Sequence, residues 1–169
     1  MIWIFLVLQL LFAGFFLFLC LSFVTGGPFV PSSKQAVEAM IKLAELKPGQ
    51  TVIDLGSGDG RLLFEAAKYG ATAAGVEINL YLVLLTRFRA FMGPYRDRIR
   101  VLWGNLWKAD LSDVDVVFVY LIPWKMEDLA EKLEDELKPG ALIVSNSFIF
   151  PGWRIIREDS NHHIYVFRI

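Results

Sequence analysis

Residues 52–61 read Val52-Ile53-Asp54-Leu55-Gly56-Ser57-Gly58-Asp59-Gly60-Arg61. Branched apolar residues open the stretch, an acid follows, and glycine then takes every second position. Such a start suits a buried strand. The glycines let the main chain turn sharply and bring it close to whatever it binds. Arg61 begins an amphipathic run, so the pattern is strand, glycine loop, helix. That is the opening unit of an open α/β sheet, whose ligands sit at the carboxyl ends of its strands. A dinucleotide fingerprint needs glycine or alanine where Arg61 stands, so a nicotinamide or flavin cofactor is excluded.

Working outward, the helix of residues 61–69 is stopped by Gly70, and 72–76 reads as a second strand. A helix over 79–92, a strand over 99–103, a strand over 114–121, a helix over 124–137 and a strand over 141–145 follow. Residues 153–157 and 163–168 suggest a closing hairpin around Asp159-Ser160-Asn161. Upstream, Ser32 with Gln35 reads as a capping box, and Val37, Met40, Ile41 and Ala44 then mark one helical face. Alternating elements of this kind predict an α/β fold, a Rossmann-like sheet with helices on both faces.

Residues 1–24 carry no charge, and the first charged side chain is Lys34. As a helix they would extend about 36 Å at 1.5 Å per residue, against a hydrocarbon core of about 30 Å. The expectation is one N-terminal transmembrane anchor (1–24), a linker with a lid-like PFVP segment (25–31) and one domain (32–169). Lys34, Lys42 and Lys47 follow the helix, so the positive-inside rule favours a single-pass membrane protein with its domain on the cytosolic side. The net charge of −1 offers no global pull toward nucleic acid. One cysteine, Cys20, and the adjacent His162 and His163 are too few for the usual zinc centres. No metal is expected.

The D-x-G-x-G-x-G pattern resembles motif I of class I methyltransferases, whose loop wraps S-adenosylmethionine. That resemblance implies cofactor contacts from Asp54, Gly56, Ser57, Gly58 and Gly60. Glu77, ending the second strand, has the acidity to accept hydrogen bonds from ribose hydroxyls. Asn105, in Gly104-Asn105-Leu106 after the third strand, is placed to meet the adenine edge, although a turn asparagine also fits. More narrowly, Pro28-Phe29-Val30-Pro31-Ser32, IDLGSGDGR, GVEIN and GNLWK resemble a small family of membrane-associated protein lysine methyltransferases. Its animal members act in mitochondria on the ATP synthase c subunit and the adenine nucleotide translocase. The family commonly has an acid where Asn105 stands and a tyrosine where Phe29 stands.

The resemblance implies methyl transfer from S-adenosylmethionine to a lysine of a protein, expected to be membrane-embedded, in a mitochondrial membrane if the source is eukaryotic. Tyr120 and Pro123, after the fourth strand, are the candidates at the reacting centre. Phe29, Trp124, Asn146 and Phe148 are the candidates for holding the acceptor, since aromatic faces attract an ammonium. Packing against the sheet accounts equally for these aromatics. Two other functions fit the same features: methylation of a lipid or quinone-like molecule, and a cofactor-binding assembly factor at the membrane. Besides the acceptor, the expected partner is the lipid bilayer. The sequence sets no oligomeric state.

Overall fold

The computed structural model describes residues 2–25 and 29–169, in two compact units, Met1–Val30 and Pro31–Ile169. The first unit holds helix α1, Ile2–Thr25. Single-pass membrane localisation is overturned here, because no helix among the described residues is long and apolar enough to cross a membrane. The orientation drawn from Lys34, Lys42 and Lys47 falls with it. Gly26, Gly27 and Pro28, expected as part of the joint and lid, lie outside the described residues, as does the side chain of Cys20. Phe29 and Val30 belong to the first unit and are exposed.

The second unit opens with α2, Lys34–Ala44. Its cap is Ser33, whose Oγ accepts the Ala36 amide at 3.0 Å. The cap falls one residue later than expected, and Ser32 is free for other bonds. Then follow β1 Thr51–Leu55, α3 Arg61–Lys68, β2 Thr72–Glu77, α4 Leu80–Met92, β3 Ile99–Trp103 and β4 Val116–Val119. A short 3-10 turn, Pro123–Lys125, leads into α5 Met126–Glu136, and β5 Leu142–Asn146, β6 Arg157–Asp159 and β7 Ile164–Arg168 complete the chain.

The strands form one sheet in the order β3-β2-β1-β4-β5-β7-β6. β3 to β5 run parallel, and β7 is antiparallel to both β5 and β6. From β1 the chain builds outward through β2 to β3, then returns to lay β4 on the other side of β1. Direction reverses there, and the crevice outside the carboxyl ends of β1 and β4 is the natural ligand position.

Strand alternation sorts the core into two layers. Val52, Ala73, Val116, Phe118 and Val144 pack with Met40, Leu63 and Val83 from α2, α3 and α4. Ile53, Leu55, Val117, Val119 and Ile143 pack with Leu129 and Leu133 from α5. Helices therefore cover both faces, as the sequence predicts. The hairpin departs from expectation. Trp153 stacks on Phe150, centroids 4.6 Å apart, and meets Phe167 edge-on at 5.9 Å. Trp153 is half-buried in this packing, and β6 starts only at Arg157. His162 and His163 lie in the turn between β6 and β7, with His162 Nδ1 3.0 Å from Asp159 Oδ2 and His163 at φ 55°.

Candidate functional site

The loop after β1 is built from backbone. Gly56 and Ser57 both donate to the Val76 carbonyl, at 2.9 and 3.1 Å, and Gly60 donates to the Ser57 carbonyl at 2.9 Å. Gly56, Gly58 and Gly60 have φ of 92°, 53° and 75°, a region that side chains with a Cβ enter only at a cost. Two of these glycines have different reasons to be glycine. Gly60 sits on α4, where a Cβ would lie 2.3 Å from Thr86 Cγ2. Nothing stands within 4 Å of a Cβ at Gly56, and the residue is exposed. Its main chain therefore faces open space at the crevice.

Two buried carboxylates lie beside this loop on neighbouring strands. Glu77 accepts the Gly58 amide at 2.9 Å on Oε2 and the Asn79 amide at 2.8 Å on Oε1. One lone pair on each oxygen remains for a further donor. Asp54 is held well above the usual carboxylate range, at about 7, first by burial and then by the charges of Glu77 and Asp59. Acids gathered in this way favour a cationic ligand that also carries hydroxyl donors. Asp59 itself is held low, chiefly by the side-chain hydrogen bonds of Arg61, at 2.8 and 2.9 Å.

At the other edge, after β4 and β5, side chains rather than backbone are presented. Tyr120 stacks with Phe148, centroids 6.4 Å apart and planes 24° from parallel. Pro123 and Trp124 are exposed in the 3-10 turn. Asn146 is buried at the end of β5, donating from Nδ2 to Ser32 Oγ at 3.1 Å and accepting from Ser147 Oγ at 2.9 Å. Ser147 has φ 70°, and the turn returns the Phe148 carbonyl to Ser145 Oγ at 2.5 Å.

The geometry thus gathers Asp54, Gly56, Gly58, Gly60 and Glu77 at one edge and Tyr120, Pro123, Trp124, Asn146 and Phe148 at the next. Ser57 is turned under the loop. Its hydroxyl is buried against Gly75 and has no hydrogen-bond partner among the described residues. Asn105 spends its Oδ1 on the Trp107 amide at 3.1 Å, capping a short 3-10 turn. Phe29 lies in the N-terminal unit. Sequence reading missed Ser32, whose carbonyl accepts from Arg61 Nη1 and whose hydroxyl accepts from Asn146. Nothing in its local pattern distinguishes it from a helix cap.

Compared with known proteins, residues 54–157 match the model of the ANTKMT methyltransferase domain. The human lysine N-methyltransferase of the ATP synthase c subunit is 36% identical over 126 residues, 75% of this chain and 54% of that protein. A protein-lysine N-methyltransferase of Saccharolobus islandicus is 35% identical over 157 residues, 88% of this chain and 98% of its own. The chain thus spans about half the length of the animal relative and nearly all of the archaeal one. Among solved structures, an RNA methyltransferase from Salinibacter ruber in complex with S-adenosyl-L-homocysteine superposes with a TM-score of 0.77. It is 35% identical and covers 82% of this chain and 92% of that one.

Proposed function

Because the chain belongs to the ANTKMT methyltransferase family, we propose that it is an S-adenosylmethionine-dependent protein-lysine N-methyltransferase. The observation that supports this most is the pair of buried acids, Asp54 and Glu77, flanking an open glycine main chain at the switch point of the sheet. When bound, S-adenosylmethionine supplies a methyl group on a cationic sulfur. Asp54, Gly56, Gly58, Gly60 and Glu77 would hold it. The spare lone pairs of Glu77 suit paired hydroxyls, and the ionised form of Asp54 suits a cation. Asn105 has its amide nitrogen left for a ring edge, and Ser57 serves by packing the loop onto Gly75.

The acceptor edge has to strip water from an amine and align it, and alignment of this kind is worth several kcal/mol, up to roughly 7–11 in favourable cases. Tyr120, Trp124 and Phe148 offer aromatic faces to an ammonium, each worth about 0.5–2 kcal/mol. Asn146 holds its loop through Ser32 and Ser147, and Pro123 fixes the backbone between Tyr120 and Trp124. Glu127 and Asp128 follow in the first turn of α5, with Asp128 paired to Lys125 at 2.9 Å.

A lysine of a membrane protein is the finer part of this proposal. Incubating the full chain with isotopically labelled S-adenosylmethionine and a membrane protein extract should place label on lysine side chains, read by peptide mass spectrometry. Label found only in RNA, in lipid or in a quinone fraction, with lysines unmodified, would replace this reading.

A further inference from the structure

Helix α4 is apolar on both sides. Val83, Thr86 and Ala90 face the sheet and are buried. Its outward arc carries Leu80, Tyr81, Leu84, Phe88, Phe91 and Met92, with Tyr81, Phe88 and Phe91 exposed by 70, 64 and 66%. At 100° per residue these six fall within about a third of the helix circumference. Arg87 bounds the arc on one side and Arg89 on the other. Beside α4, the edge strand β3 adds the exposed Trp103, its Nε1 bonded to the Ile78 carbonyl at 3.0 Å.

Monomeric surfaces rarely gather this many large apolar groups on one face without a use for them. Four arginines border the face, with Asp97 beside one of them. Arg87 donates to the Val101 carbonyl at 2.8 Å, Arg89 to the Asp59 carbonyl at 2.9 Å and Arg98 to the Gly70 carbonyl at 2.7 Å. Neutral carbonyls hold Arg87 and Arg98 in place, while Arg89 also lies near the Asp59 carboxylate, which its charge helps to hold low. Arg96 lies over the Phe91 ring at 5.9 Å and contacts only Asp97 at 3.4 Å among the described residues. α4 itself contains no acidic residue. The contrast is α5, whose outward positions carry Glu127, Asp128, Glu131, Glu134 and Asp135.

We propose that the α4 face, with Trp103, is a peripheral docking surface for an anionic lipid bilayer. Phe and Leu side chains would enter the acyl boundary, Tyr81 and Trp103 would sit at headgroup level, and the arginine border would meet phosphate. Aromatic rings with a polar handle favour that interface, and an in-plane helix with an apolar face and a basic border binds anionic lipid by both terms. This helix would lie on the bilayer and not cross it.

The apolar α1 makes bulk partitioning of the full chain a poor readout, so the test is position-specific. The full chain with Cys20→Ser receives an environment-sensitive fluorophore at Phe88→Cys or, as control, at Glu131→Cys on α5. It is mixed with vesicles of phosphatidylglycerol and phosphatidylcholine in equal parts, or of phosphatidylcholine alone, each bearing a nitroxide lipid quencher. The expected result is several-fold stronger quenching at position 88 with the anionic vesicles than with the neutral ones. Position 131 should show little in either, and Arg96→Glu with Arg98→Glu should reverse most of the effect at an unchanged melting temperature. Equal quenching at 88 in both vesicle types, or none in either, overturns the proposal. So does a label at 88 that becomes shielded as protein concentration rises without lipid, which would assign the face to a second copy of the chain.

Discussion

The two edges of the crevice are made by different means. After β1 and β2 the site is main chain: three left-handed glycines, amides bonded to Val76 and Glu77, and acids that are buried. After β4 and β5 it is side chain: a stacked Tyr120–Phe148 pair, an exposed Trp124 and a turn held by Ser145 and Asn146. A backbone cradle tolerates few substitutions, because a Cβ enters its left-handed conformation only at a cost. A side-chain slot tolerates many, because several residues offer a similar face. The first should fail through folding and cofactor affinity together. The second should fail in turnover alone.

The largest effect should come from Gly60→Ala. It forces a Cβ into the left-handed region, about 1–2 kcal/mol, and drives it into Thr86, about 1–3 kcal/mol for overpacking. Chemical denaturation should show a loss of roughly 2–5 kcal/mol, and adding Thr86→Ala should recover only the part due to the clash. Full recovery would mean that the backbone conformation contributes nothing.

Glu77→Ala comes next. Its carboxylate is hydrogen-bonded to two amides, and bonds of this charged kind are worth about 1.5–3 kcal/mol. Calorimetry should show S-adenosylmethionine affinity weakened by about that amount, together with a lower melting temperature. A variant with reduced stability and full affinity would move the cofactor away from this edge.

Asp54 adds a dependence on pH. In the folded protein it keeps its proton to about pH 7, against 3.8 for the ordinary carboxyl. The folded state therefore binds the extra proton between those values, and the stability of the ligand-free protein falls as pH rises through that window. If the cationic cofactor needs the ionised form, affinity should rise about tenfold from pH 6 to pH 8, with a proton released on binding. Asp54→Asn should bind weakly and lose that dependence.

The smallest effects belong to the other edge. Tyr120→Ala should lower kcat/KM for a lysine acceptor by about 0.5–2 kcal/mol of cation–π stabilisation, with cofactor affinity and melting temperature unchanged. Phe148→Ala should also lower the melting temperature, because that ring packs against the core. For Tyr120→Ala, a fall in melting temperature equal to the fall in kcat/KM would mark that ring as core packing.

The same division governs how far the sequence can be read. Glycine at alternate positions after a branched strand has few physical explanations, so the β1 loop, α3 and the acid ending β2 are all legible from the residues alone. The target edge is legible only as a set of aromatics in the right place, since Tyr120, Trp124 and Phe148 would look the same if they packed the sheet. Phe148 and Trp153 show the ambiguity, because both pack against the core, Trp153 on Phe150 and Phe167. The N-terminal expectation fails for a different reason. Length and apolarity together define a span, and the described residues contain no helix that meets both conditions. The bonds of Ser32 are set by residues far along the chain, a kind of proximity that no local pattern encodes.

That serine also sets where the chain can be shortened. Its carbonyl and hydroxyl tie Arg61, beside the glycine loop, to Asn146, beside the aromatic pair. A protease cutting ahead of Pro31 would leave this clasp whole and release a fragment with both edges still joined. Cleavage just beyond Ser32 would remove a single partner shared by two distant loops, so trimming a few residues further should loosen both edges at once.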